Sequence, residues 1–197
     1  MRVDILCSDQ RHPVWPLLEE FCKARDYRLI SSTEDLRAVD YLFLVSCTEI
    51  LSAQQRSLYG HVLVLHESDL PKGRGWSPLA WQVLEGKSEI VITLFEATDR
   101  VDEGPVWLKG GLRLEGHELA DEISKLAFIQ KGDLIDMALT FGKPEDQKYL
   151  RRIPEDSRLD PDKTIAEQFD LLRICEPRFP AFFELRGHRY EVTVKKA

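Results

Sequence analysis

His66 opens the segment of this chain with the most chemical potential, His66-Glu67-Ser68-Asp69-Leu70-Pro71-Lys72-Gly73-Arg74-Gly75-Trp76-Ser77-Pro78. An imidazole titrates near neutral pH and can give or take a proton. The run before it, His61 to Leu65, is apolar and strand-like, and the loop after it joins a stiff Leu70-Pro71 to a flexible Gly73-Arg74-Gly75. Open α/β sheets place reactive groups at the carboxyl ends of their strands, and glycines let backbone approach a ligand closely. Gly73, Arg74 and Gly75 are therefore candidate substrate contacts, with Trp76 and Trp81 as pocket walls. A second polar loop, Glu96 to Gly104, carries Asp102. A carboxylate beside His66 favours the charged ring and directs a proton. The residues alone leave a plainer reading open, a structural histidine and acidic turn formers, unless the fold brings Asp102 to His66. Arg151 and Arg152 are either a clamp for a diphosphate or a solvated basic pair on a linker. Trp107 and Tyr149 are candidate stacking surfaces for a sugar or a base.

These groups need a scaffold, and the hydrophobic pattern supplies one. Val3 to Cys7, Tyr27 to Ile30, Val39 to Val45, His61 to Leu65, Glu89 to Phe95 and Pro105 to Leu114 read as strands. Val39 to Val45 is nearly all apolar, as in a strand covered on both faces of a parallel sheet. Helical spacing marks Pro13 to Lys23, Ser52 to Leu58, Trp76 to Leu84 and Gly116 to Phe141, with Gly132 a candidate break in the last. The alternation predicts an α/β fold, doubly wound around a mostly parallel open sheet. Beyond Gly142 the composition turns to Pro, Lys, Glu and Asp. A helix over Thr164 to Ile174 and a hairpin within Phe179 to Val194, turning at Arg186-Gly187-His188, follow. The expected organisation is a main domain over 1–142 and an extension of linker, helix and hairpin over 143–197 packed on it.

Composition narrows the function classes. A net charge of −7 is the wrong sign for a general nucleic-acid binder. No apolar run is long enough to span a bilayer, and the start Met1-Arg2-Val3-Asp4 leads directly into a strand, so a cytoplasmic protein without membrane partners is expected. The four cysteines show neither CxxC nor zinc-ligand spacing, which predicts reduced thiols and no metal. The segment Ser8-Asp9-Gln10-Arg11-His12-Pro13 after the first strand lacks the glycines that a dinucleotide pyrophosphate requires.

The spacing HxSxLPxxRGxxP from His66, with Val101-Asp102-Glu103-Gly104 following, resembles the formyltransferase superfamily that uses 10-formyltetrahydrofolate. A second block, Arg152 to Asp160 followed by Ala166 to Ile174 and Pro180 to Phe183, resembles the linker and helix of its transfer-RNA and sugar members. The two blocks span about three quarters of the chain. The resemblance implies transfer of a formyl group from 10-formyltetrahydrofolate to a primary amine, with His66 and Asp102 as the catalytic pair. It places the donor's pterin against backbone of Cys47, Thr48, Ile50 and Leu51 on one side and Ala97, Thr98 and Asp99 on the other. The family's asparagine two residues before the histidine is here Val64, which cannot donate a hydrogen bond to an oxyanion. Ser46, Thr48 and Ser68 are the candidate substitutes, Ser46 first. The wording of the His66 segment, the short carboxyl terminus and the acidity favour the sugar N-formyltransferases of the pseudaminic-acid type. Their acceptor is a nucleotide-linked 4-amino-4,6-dideoxy sugar carried on UDP. Formylation of a purine ribonucleotide or an aminoacyl group, a noncatalytic binding relative and a flavodoxin-like module are the alternatives. Phe182, Phe183 and Tyr190 on the hairpin either serve the interface of a homodimer or cap the main domain.

Overall fold

The structure, a computed structural model, describes residues 1–144 and 151–196. It divides into two compact units, Met1–Glu145 and Asp146–Ala197.

The first unit is built on a six-stranded sheet: β1 (Val3–Leu6), β2 (Arg28–Ile30), β3 (Val39–Val45), β4 (Tyr59–His66), β5 (Glu89–Glu96) and β6 (Val106–Arg113), in the order β2-β1-β3-β4-β5-β6. β1 pairs in parallel with β2 and β3, and β3 with β4. From β4 onward the pairing is antiparallel, β4 with β5 and β5 with β6. The expected mostly parallel α/β sheet is thus present, ending in an antiparallel meander. Successive strand residues face opposite sides, so β4 places Leu63 and Leu65 in the main core and Val62 and Val64 in a second cluster on the other face. His66 shares the face of Val62 and Val64.

Helices cover the sheet: α1 (Trp15–Arg25), α2 (Ala53–Arg56), α3 (Pro78–Leu84) and α4 (Ala120–Phe141). α4 runs unbroken through Gly132. A Cβ at Gly132 would lie 2.9 Å from the Phe21 ring of α1, so the glycine serves close packing rather than a break. α4 starts later than the pattern implied, because the Glu118 carboxylate accepts the Glu115 and Gly116 N–H groups in a separate turn. Its core-facing stripe, Ala127, Leu134, Ile135 and Ala138, includes one charged member, Lys131, only 4 % exposed.

The second unit contains α5 (Phe169–Ile174) and the antiparallel hairpin of β7 (Ala181–Leu185) and β8 (His188–Val192). The hairpin turns where expected, with Arg186 and Gly187 both at positive φ, as a two-residue turn of right-handed strands requires. The helix predicted from Thr164 begins only at Phe169. Thr164 and Glu167 instead close a local turn, the Glu167 carboxylate accepting the Thr164 N–H at 2.8 Å. Phe182 is buried and is not an exposed aromatic, while Phe183 and Tyr190 stack at 5.3 Å. No described helix is long and apolar enough to cross a membrane.

Candidate active site

His66 ends β4, and the next residues turn over its ring. Ser68 N–H donates to the His66 carbonyl at 2.9 Å. The Thr93 hydroxyl, opposite His66 in register on β5, donates to the Ser68 carbonyl at 2.6 Å and accepts the Leu70 N–H at 3.4 Å. Lys109 of β6 donates to the Asp69 carboxylate and the Leu70 carbonyl, each at 2.6 Å. This contact holds the Asp69 carboxyl below the usual carboxylate range. The strands thus fix the loop's first half, and its second half reaches back to the histidine. The Gly73 carbonyl lies 3.0 Å from His66 Nε2.

Asp102 arrives from the β5–β6 connection. Glu96 N–H donates to the Pro105 carbonyl at 2.9 Å and closes the neck of that loop. Gly104 is obligatory there, since a Cβ would lie 1.6 Å from the Glu96 carbonyl oxygen. Asp102 itself takes a left-handed backbone, φ 55°, which aspartate tolerates better than most residues. Its Oδ1 lies 3.8 Å from His66 Nδ1, with both side chains about nine-tenths buried. Oδ2 accepts the Gly75 N–H at 3.0 Å. Arg74 and Glu103 join the two loops by an ion pair at 2.9 Å.

The chemistry follows from the hydrogen-bond roles. A carbonyl only accepts, so His66 carries its hydrogen on Nε2, and Nδ1 of the neutral ring is the basic nitrogen facing Asp102. The 3.8 Å separation exceeds a direct hydrogen bond and suits a bridging water or a transferring proton. A base oriented on one side by Gly73 and faced on the other by a carboxylate can accept a proton from an amine, with the imidazolium stabilised by Asp102.

The segments expected to hold the pterin are also brought together. Leu51 is buried in the second cluster, and Cys47, Val64 and Ala97 pack against it half-buried. Ile50, 73 % exposed, forms an apolar lip. Arg56 of α2 hydrogen-bonds both the Leu51 carbonyl and the Asp99 carboxylate, clipping one segment to the other. Thr48 is tied to the loop after β1 through the Ser8 hydroxyl, which accepts the Thr48 N–H at 2.9 Å. Thr98 caps its own turn, its hydroxyl donating to the Arg100 carbonyl at 3.0 Å. Cys47, Leu51 and Ala97 thus form one apolar cluster with Val64, on the face of the sheet that carries His66.

Several expected site residues are placed elsewhere. Trp107 is 4 % exposed within the main core, its indole edge against His61 at 4.9 Å, so it presents no face to a ligand. Arg152 is engaged within its own unit by the Ile174 carbonyl, the Ser157 hydroxyl and the Cys175 sulfur, and is not a free clamp. Arg151 is exposed on that unit, and Tyr149 lies outside the described residues. Ser46 takes a left-handed backbone, φ 49°, and among the described residues it makes no hydrogen bond to His66 or Asp102. Gly73 and Gly75 contact His66 and Asp102 themselves, the Gly73 carbonyl at His66 Nε2 and the Gly75 N–H at Asp102 Oδ2.

Glu67 and Lys131 form a part of the site that the sequence reading missed. Glu67 points to the opposite face from His66 and pairs with the buried Lys131 ammonium. Burial pushes the Glu67 carboxyl up, but the charge and hydrogen bond of Lys131 outweigh it and hold the group below its ordinary value. The pair anchors the end of β4 to α4. A lysine inside an apolar helical stripe was its only sequence signal. Arg56, on a helix too short to show periodicity, gave none.

The chain is an α/β protein whose sheet turns antiparallel beyond its fourth strand, with a histidine and a carboxylate brought together at that seam. The sequence pattern of the formyl transferase family matches residues 19–127, and the chain belongs to that family, whose formyl donor is formyl-tetrahydrofolate. Solved structures with a similar fold include methionyl-tRNA formyltransferase from Clostridium thermocellum, 21 % identical over 100 % of this chain and 94 % of that one, TM-score 0.60. A sugar N-formyltransferase from Shewanella sp is 14 % identical over 100 % and 98 %, TM-score 0.53. Glycinamide ribonucleotide transformylase 1 from Symbiobacterium toebii is 18 % identical over 71 % and 85 %, TM-score 0.53.

Proposed function

We propose that the protein transfers the formyl group of 10-formyltetrahydrofolate to the primary amine of a UDP-linked 4-amino-4,6-dideoxy sugar. The observation that carries this reading is the buried approach of His66 Nδ1 to Asp102 at 3.8 Å, beside the two segments clipped by Arg56. The donor supplies an electrophilic formyl carbon. Cys47, Leu51 and Ala97, edged by Thr48, Ile50, Thr98 and Asp99, would hold its pterin. In the transfer the acceptor nitrogen would bond to the formyl carbon as the bond from that carbon to N10 of the donor breaks. His66 Nδ1 would take the amine proton and pass it to N10 of the departing tetrahydrofolate, while Asp102 stabilises the charged ring and Gly73 fixes the tautomer. The amino-sugar acceptor is supported by the likeness to a sugar N-formyltransferase and by the net charge of −7, which disfavours a polyanionic transfer RNA.

The test is incubation with 10-formyltetrahydrofolate and a panel of UDP- and dTDP-linked amino sugars, measuring tetrahydrofolate release and formamide formation. Sugar-dependent release that is abolished in His66→Ala and Asp102→Ala, with Tm retained, is the expected outcome. Near-normal turnover in either variant would overturn the assigned roles. Val64 favours a second reading, a noncatalytic relative, because a valine two residues before His66 offers no side-chain donor to an oxyanion. Donor binding without turnover on any amine would establish that one.

A further inference from the structure

On the far side of the Gly73 turn from His66 lies a cavity of about 570 Å³, between the loop after β4, α3 and β5. That volume is ample for a nucleotide-sized ligand. Two of its walls are Trp76 and Trp81, which are 74 % and 60 % exposed. Two large indoles left open to water on one cavity form a stacking platform. Its floor contains Ser68, 2 % exposed, whose hydroxyl is buried without a hydrogen-bond partner. The rim next to His66 is cationic. Lys72 makes no ion pair among the described residues, and Arg74 is half-exposed beside Glu103. At the opposite rim Lys87 pairs with Glu85 at 2.6 Å, as Arg74 pairs with Glu103 and the lining Asp69 with Lys109, so Lys72 is the cation of the lining without an ion pair among the described residues.

Aromatic walls at one end and cations toward the reacting histidine match a molecule with a planar base and a phosphate tail. We propose that this cavity binds the nucleoside diphosphate part of the acceptor, the base against Trp76 and Trp81 and the phosphates at Lys72 and Arg74. This rests on the reading of a nucleotide-linked acceptor. It assigns the two tasks that Trp107 and Arg152 are not placed to perform. Gly73 connects the cavity to the chemistry, since its backbone lines the cavity while its carbonyl holds His66. A Cβ on Gly73 would lie 2.9 Å from Ser68 Cβ, so the floor of the cavity and the seat of the histidine are in direct contact.

The test reads binding alone. UDP is titrated into the full chain by calorimetry and by tryptophan fluorescence, in which the two exposed indoles should be quenched. Trp76→Ala and Trp81→Ala should each weaken UDP binding by about tenfold, the scale of base–aromatic stacking. Lys72→Ala should weaken UDP more than uridine. Absence of UDP binding, or binding that both tryptophan variants retain in full, would overturn the assignment. If UDP binds as described and no UDP-linked amine is formylated, the cavity stands and the acceptor reading falls. If formylation proceeds with unchanged KM in both tryptophan variants, the cavity assignment alone falls.

Discussion

Gly75→Ala tests whether the loop after β4 holds the catalytic carboxylate. Gly75 sits at φ +107°, and a Cβ added there meets nothing within 4 Å. The substitution therefore introduces backbone strain without a clash. Strain of that kind costs about 1–3 kcal/mol, and the loop relieves it by turning, which carries the Gly75 N–H away from Asp102 Oδ2, its partner at 3.0 Å. A hydrogen bond to a charged acceptor contributes about 1.5–3 kcal/mol. At about 1.4 kcal/mol per factor of ten, its loss from the transition state slows formyl transfer roughly ten- to hundredfold. Gly116→Ala is the matched control, with φ +99° and nothing within 4 Å of its added Cβ, in the connection between β6 and α4. Both variants should lose Tm, by about 2–4 °C per kcal/mol for a chain of this size, while only Gly75→Ala loses the single-turnover rate. Ring nitrogen shifts in NMR give a readout independent of acceptor, with His66 expected to keep its hydrogen on Nε2 in both. Wild-type turnover in Gly75→Ala, or an equal rate loss in Gly116→Ala, would refute the reasoning.

Three further outcomes are expected. Arg56→Ala unclips the two pterin segments and should raise KM for the formyl donor about tenfold, the scale of one charge-assisted hydrogen bond, with kcat less affected in steady-state assays. Lys131→Met leaves the Glu67 carboxylate buried and unpaired and should cost about 3–5 kcal/mol in denaturant unfolding, most of it recovered in Glu67→Gln/Lys131→Met. Glu67 is held below its ordinary 4.5. Its contribution is therefore full above that value and is lost as pH falls through the folded-state value. A Tm profile below about pH 4.5 should accordingly be steeper in the wild type than in Glu67→Gln.

The legible parts of the fold were those with strong periodicity. The all-apolar run of β3 and the strand-loop-helix sequence around His66 marked the sheet and the site from residue types alone. The reversal of direction after β4 was not legible, because β5 and β6 read as strands whichever way they run. His66 stood out by its place between an apolar run and a Pro/Gly loop, whereas Asp102 was singled out by the family resemblance, since an acidic residue in a polar loop reads equally as a turn former. Trp107 misled because an aromatic on a strand looks the same whether it faces the core or a ligand. Arg152 misled because a cation's partners, here a carbonyl, a hydroxyl and a thiol, leave no charge pattern in the sequence. The Glu67–Lys131 pair required knowing that α4 lies across the end of β4.

The seam between parallel and antiparallel pairing also sets an order of assembly. β5 and β6 are neighbours in sequence, paired along most of their length, and the neck that presents Asp102 closes within that hairpin. β4 joins this hairpin by an antiparallel pairing across the longer connection that carries α3, while its other neighbour β3 pairs with it in parallel, as β1 does with β3, pairings that need long crossovers and form slowly. During refolding, amide protection in the β5–β6 hairpin should therefore precede any recovery of activity. The carboxylate is ready early and waits for its histidine, so a partly folded chain already has the hairpin but no reactive pair.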